Sequence, residues 1–388
     1  MANLTDYQND LRKIERNIAE IGSPSDTDRA TRRAYGLYQH AALTGRLDEF
    51  TAAEAAIAEA FDQVGSWPDL CLVKANLDMK FHRLQGAKRA LAMAPGLTES
   101  FAGRTVWADI HLQEGRYRQA KQMCEALIAE NRTWDNLARL AYWESKFGRI
   151  EDAEVLYTEA EEEITAKEMR GYAWVQLQKG LLHLRRGRYE QAATHYRRAA
   201  NAYSGYWLVE DHLAELYGSQ GKYDEAVALY ERVLAENSRP ELQQAFGELY
   251  AAMGEECEAE KWFDKALAGF LEASANGGVH YYHHLVDFFS DVREDASAAV
   301  AWGRKDFELR RNFGTEAALA WALYRNGQIE EADEMMDYAL GSGVQDGHLF
   351  AKAATIKAAA GRSHESAQLS GRAFALNPHH QGFHVHRS

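Results

Sequence analysis

The sequence predicts an all-α chain folded as a solenoid of about ten helix–turn–helix repeats, and three observations carry that prediction. Proline is scarce, five against 29 glycines in 388 residues, so long helices go unbroken. Seven glycines (Gly115, Gly148, Gly187, Gly221, Gly254, Gly327 and Gly361) each have a small residue five positions later and another seven positions earlier. Their spacings are 33, 39, 34, 33, 73 and 34 residues, a period that marks stacked two-helix units.

Each element of the unit has a physical reason. The glycine takes the left-handed cap conformation cheaply and reverses the chain into an antiparallel second helix. The earlier small residue (Ala108, Ala141, Gly180, Ala214, Gly247, Ala320, Ala354) and the later one (Ala120 to Ser366) allow the paired helices to approach. Tyr117, Ile150, Tyr189, Tyr223 and Ile329, two residues after the glycine, are expected to plug the corner. Tyr157, Tyr196, Tyr230 and Phe263, four residues after the second small position, are expected to fill the groove between helices. The gap of 73 hides one degenerate unit at 280–312, where Glu294 stands in the glycine position. Two weaker units turn near Gly45 and His82. The long spacings imply extended helices or loops near 161–171 and 271–280.

These positions resemble the tetratricopeptide repeat over nearly the whole chain, down to the AFALNP ending at Ala373 to Pro378. The resemblance implies a right-handed superhelix whose first helices line a concave face, with a solenoid over 29–380. A lead-in helix and linker precede it over 1–28, and a histidine-containing tail follows over 381–388.

Charge narrows the partner. A formal net charge of −14 repels a phosphate backbone, so no nucleic acid is expected. Three cysteines, Cys71, Cys124 and Cys257, are far apart and form no metal knuckle or disulfide framework. Residues 1–22 lack the apolar core of a secretory signal, and no run suits a membrane span. A cytoplasmic setting without membrane insertion is the expectation.

Counting along the helical period from each turn places Tyr142, Trp174, Leu177 and Leu181 on the concave face, then Tyr281, His284 and Phe288, then Trp321 and Tyr324. Aromatic side chains there suit a protein or peptide partner. Asp109, Asp135, Asp211, Glu215, Glu241 and Glu248 fall on the same face, where they would favour a basic or amphipathic ligand, ordinary solvated charges being the simpler reading. The function expected is therefore an adaptor that holds a protein or peptide in its groove; homo-oligomeric assembly is a further possibility.

Histidine is unevenly spread. His280 and His284 lie four apart, and the tail carries His379, His380, His384 and His386, a spacing able to hold a transition metal. Neither cysteine nor a consistent carboxylate completes a set, so no metal is assigned and a metal-handling tail stays the alternative. Packing of Phe383 and the imidazoles on the last repeat is the simpler reading of the tail. No nucleophile elbow, zinc-protease motif or phosphate loop occurs, so no enzyme and no cofactor are expected.

Overall fold

The computed structural model describes residues 4–21 and 27–385. After α1 (Asp6–Ile21), twenty helices follow as ten hairpins. They are α2 (Thr27–Thr44) with α3 (Leu47–Val64), α4 (Pro68–Lys80) with α5 (Leu84–Ala92), α6 (Phe101–Gln113) with α7 (Tyr117–Glu130), and α8 (Trp134–Lys146) with α9 (Ile150–Glu163). Then come α10 (Met169–Leu184) with α11 (Tyr189–Ala202), α12 (Trp207–Ser219) with α13 (Tyr223–Glu236), and α14 (Pro240–Met253) with α15 (Glu256–Ala275). The last three are α16 (Tyr282–Asp287) with α17 (Ala296–Leu309), α18 (Phe313–Arg325) with α19 (Ile329–Gly341), and α20 (Gly347–Ala359) with α21 (Ser363–Leu376). The two long spacings are taken up by α10, of 16 residues, and α15, of 20.

Every hairpin turns through one residue with positive φ. Eight are glycines, from Gly45 at 73° to Gly361 at 76°, and the remaining two are His82 at 56° and Glu294 at 50°. The degenerate repeats thus keep the left-handed turn and bear its steric cost.

Close helix contact follows from the small residues. A Cβ added at Gly180 would lie 2.1 Å from the Tyr196 ring, and one at Gly247 would lie 2.7 Å from Phe263. Tyr157, Tyr196 and Tyr230 are almost fully buried between helices, where each large side chain withdrawn from water contributes about 2 kcal/mol.

The solenoid winds tightly enough for successive coils to touch, each repeat meeting the start of the repeat six further on. The first repeat receives Asn237 from the entry to the seventh, with Asn237 Nδ2 donating to the Thr44 carbonyl (2.9 Å). Trp207 Nε1 donates to the neighbouring Leu43 carbonyl (3.0 Å). The second meets the eighth through Phe81 on His280, with ring centroids 4.7 Å apart, and His82 near His283 at 5.6 Å. The third meets the ninth, where Asn312 Nδ2 donates to the Gln113 carbonyl (3.1 Å) and Phe313 N donates to the Tyr117 hydroxyl (2.7 Å). The fourth meets the tenth through Gln345 N, which donates to the Lys146 carbonyl (2.8 Å). The corner residue Tyr117 therefore reaches across to the next coil.

Candidate functional site

First helices line the interior of the superhelix, and where coils touch, their concave face becomes a partly covered passage. A cavity of about 700 Å³ opens between α6, α8 and α10, walled by Trp134, Tyr142 and Trp174 with Asp109, Asp135 and Arg139. It shares Leu112, Gln113 and Tyr142 with a cavity of about 630 Å³ deeper inside, reached by α18 and α20. A third, of about 130 Å³, shares His283, Asp287 and Lys352 with the second and is bordered by Asp211, Glu241, Glu248 and His284.

The outer cavity has an aromatic wall held in place by its neighbours. The Trp134 and Trp174 rings stand 6.2 Å apart, and Trp134 Nε1 donates to Glu168 (3.2 Å). Gly171 allows the approach, because a Cβ there would sit 3.0 Å from the Trp134 ring. Across from them Arg139 bridges to Asp109 (2.8 Å) and Asn136 (3.1 Å), so polar and aromatic walls face one space.

Deeper in, charge governs the chemistry. Burial acts first on the Tyr142 phenol and would raise it, but Lys146 and Arg185 beside it bring it below its ordinary value. Burial and then Arg185 lower the Lys146 ammonium. Burial would raise the Asp346 carboxyl, yet Lys146, His348 and Arg185 hold it down. Glu241 is likewise drawn to about 2 against burial, chiefly by Arg239, and accepts a hydrogen bond from the Tyr281 hydroxyl (2.9 Å). Burial pushes His280 down to about 3, so the contact between the second and eighth repeats is made by neutral imidazole.

Of the side chains expected on the concave face, Tyr142 and Trp174 share the outer cavity and His284 borders the third. Leu181 stands with Tyr142 in an adjoining recess. Leu177, Tyr281 and Phe288 are corrected to core positions, each with no exposed surface. For Tyr281 and Phe288 the reason is backbone phase: a 3₁₀ turn (Val279–Tyr281) precedes α16 and a π turn (Phe288–Val292) follows it. An even helical count misplaces residues on both sides of such turns. Leu177 faces the adjoining α-hairpin core with Ala173 and Tyr196. Trp321 and Tyr324 stack on each other at 5.1 Å and pack against the core of the last three repeats, with the Trp321 indole donating to Asp291 (2.8 Å). Both keep part of their surface exposed, and Lys352, which borders the second and third cavities, stands over the Trp321 ring.

The tail imidazoles diverge. His379 stacks on Tyr189 (5.2 Å), His380 Nδ1 lies 2.9 Å from the Asn377 carbonyl, and His384 meets Glu215. His386 lies outside the described residues. Among the described residues no group of three or more histidine, cysteine or acidic side chains is placed to hold a metal ion. Phe383 packs against α12 and α14 of the sixth and seventh repeats, which corrects its expected place on the last repeat.

Comparison with known proteins accords with this geometry. Tetratricopeptide repeat profiles match residues 211–245, 173–198 and 315–337, three of the hairpins defined above. The chain carries tetratricopeptide repeats. No curated protein matches its sequence. Among solved structures, this tetratricopeptide-repeat chain is similar to one titled as the APC/C hetero-tetramer Cut9-Hcn1, at 14% identity and a TM-score of 0.45, covering 96% of this chain and 80% of that one. A tetratricopeptide repeat protein from Parabacteroides merdae shares 18% identity over 63% of this chain and 93% of its own, with a TM-score of 0.38. Pseudomonas aeruginosa pilF shares 19% over 55% and 97%, with a TM-score of 0.34. At these scores the likenesses carry nothing about function.

Sequence reasoning missed Trp134, Arg139 and Lys146. Trp134 opens its helix, where the counting back from the glycine had stopped. The two cations were passed over because a lone basic residue on a helix carries no signal of burial.

Proposed function

We propose that this chain is a protein-interaction scaffold that takes a segment of its partner into the cavity between α6, α8 and α10. One observation carries the reading: two tryptophans and Tyr142 wall a space of about 700 Å³ whose other side presents Asp109, Asp135 and Arg139. Large aromatic faces beside fixed polar groups suit an apolar or aromatic side chain flanked by a basic one. The role is one of binding rather than catalysis. No helix among the described residues is long and apolar enough to cross a membrane. Three unpaired cysteines, with Cys257 exposed, support a reducing, cytoplasmic setting.

The test is affinity co-purification with quantitative mass spectrometry on the wild type and on W134A and W174A. Loss of one aromatic wall is expected to reduce recovery of a specific partner by about tenfold or more, with the thermal midpoint showing that each variant is folded. A partner recovered equally by wild type and both variants would remove this cavity as its site.

A further inference from the structure

The interior already holds a peptide, and it belongs to the chain itself. Beyond α21 the backbone turns at Asn377, where His380 N donates to the Asn377 carbonyl (3.2 Å) and Gly382 N to the His379 carbonyl (2.9 Å). The turn delivers residues 383–385 onto the concave side of α12. Two side chains one helical turn apart then read the tail's backbone. Ser219 Oγ lies 2.8 Å from both the Phe383 carbonyl oxygen and the Glu215 carbonyl oxygen of its own helix, sharing its one proton between them, and the Glu215 carboxylate accepts from Val385 N (2.9 Å). The C=O of one residue and the N–H two residues later thus both find a polar partner on α12, which is how an extended segment is held irrespective of its side chains.

Side-chain selection comes from what surrounds that pair. Phe383 lies in a slot that exists because residue 218 is glycine: a Cβ there would stand 2.5 Å from the Phe383 ring and 3.0 Å from Leu249. His384 is buried, sets its Nδ1 against the carboxylate of the fully buried Glu215, and stacks on His348 with ring centroids 5.0 Å apart. Val385 borders the 130 Å³ cavity with Asp211 and Glu248. We propose that the concave surface of the sixth and seventh repeats is a binding site for an extended peptide bearing an aromatic side chain followed by an imidazole. Residues 383–385 fill it as an intramolecular ligand, and a partner segment of the same chemistry displaces them. This site is separate from the tryptophan-walled cavity, and it stands or falls independently of it.

The probe is a fluorescent peptide spanning residues 377–385, titrated by anisotropy against full-length proteins. In the wild type the tethered tail competes, so binding is expected to be about tenfold or more weaker than to F383S, whose own tail has lost its anchor. In the F383S background, G218A closes the slot and is expected to return binding to the weak level. A control peptide with serine at the Phe383 position is expected to bind none of the proteins. Equal binding of the probe to wild type and F383S, or binding of the control peptide like the probe, overturns the proposal. A second readout needs no variant: the Val385 amide of the wild type should exchange with solvent at least about tenfold more slowly than in the free peptide. Exchange at the free-peptide rate overturns it as well.

Discussion

At the scale of single residues, the most telling position is Glu294. Its φ of 50° is one that an L-residue occupies at a cost of about 1 kcal/mol, and glycine would remove that cost. The Glu294–Arg325 ion pair lost in exchange is exposed on the Glu294 side, at 71%, and contributes only a few tenths of a kcal/mol. E294G is therefore expected to stabilise the protein by about 0.5–1 kcal/mol, read as a higher urea midpoint with unchanged slope; a lower midpoint would show that the turn is not strained. The same position shows what the sequence reveals and why. The degenerate turn was legible because its signal is local, a helix pattern restarting on schedule without its glycine. Tyr281 and Phe288 were not, because a 3₁₀ turn and a π turn alter helical phase without leaving a composition that marks them.

Between elements, the coils are joined where helices end. The last carbonyls of a helix have no partner inside it, and in α2, α6 and α8 these groups are capped from the next coil by Trp207, Asn237, Asn312 and the amide of Gln345. Asn312 also caps α18, its Oδ1 accepting from Gly314 N (3.0 Å) and Thr315 N (3.1 Å). Aspartate keeps that cap but loses the bond to Gln113. N312D is thus expected to cost about 1–3 kcal/mol, and N312A more, since it loses both. Asn131 ends α7 with the same local sequence, AEN, that precedes the buried Asn237, yet it is exposed because no coil lies against it. N131A is expected to change stability by no more than about 0.5 kcal/mol. Thermal or urea unfolding of the three variants checks the set, and equal losses at 131 and 312 would contradict coil contact as the cause. Each helix pair was readable in the sequence, since its small residues and tyrosines meet within one repeat. Which asparagine is buried was not, because a partner six repeats away is set by superhelical pitch, to which each repeat adds only a small rotation.

For the whole molecule, the consequence is a solenoid that departs from the usual case in which each repeat touches only its neighbours. Contact between coils converts an open trough into a passage with a tryptophan-walled cavity at one place and the chain's own tail seated in another. A distance across the coils tests that contact most directly. Arg118 and Arg311 are exposed on the third and ninth repeats, where the Arg311 carbonyl oxygen lies 2.4 Å from the place a Gly115 Cβ would occupy. Spin labels go on cysteines at 118 and 311 in a C257S background, since Cys71 and Cys124 are buried, and the separation is read by pulsed electron resonance. A single narrow distribution at short distance is the expected result. A broad distribution centred at long distance would mean that the coils stand apart, and would contradict contact between them.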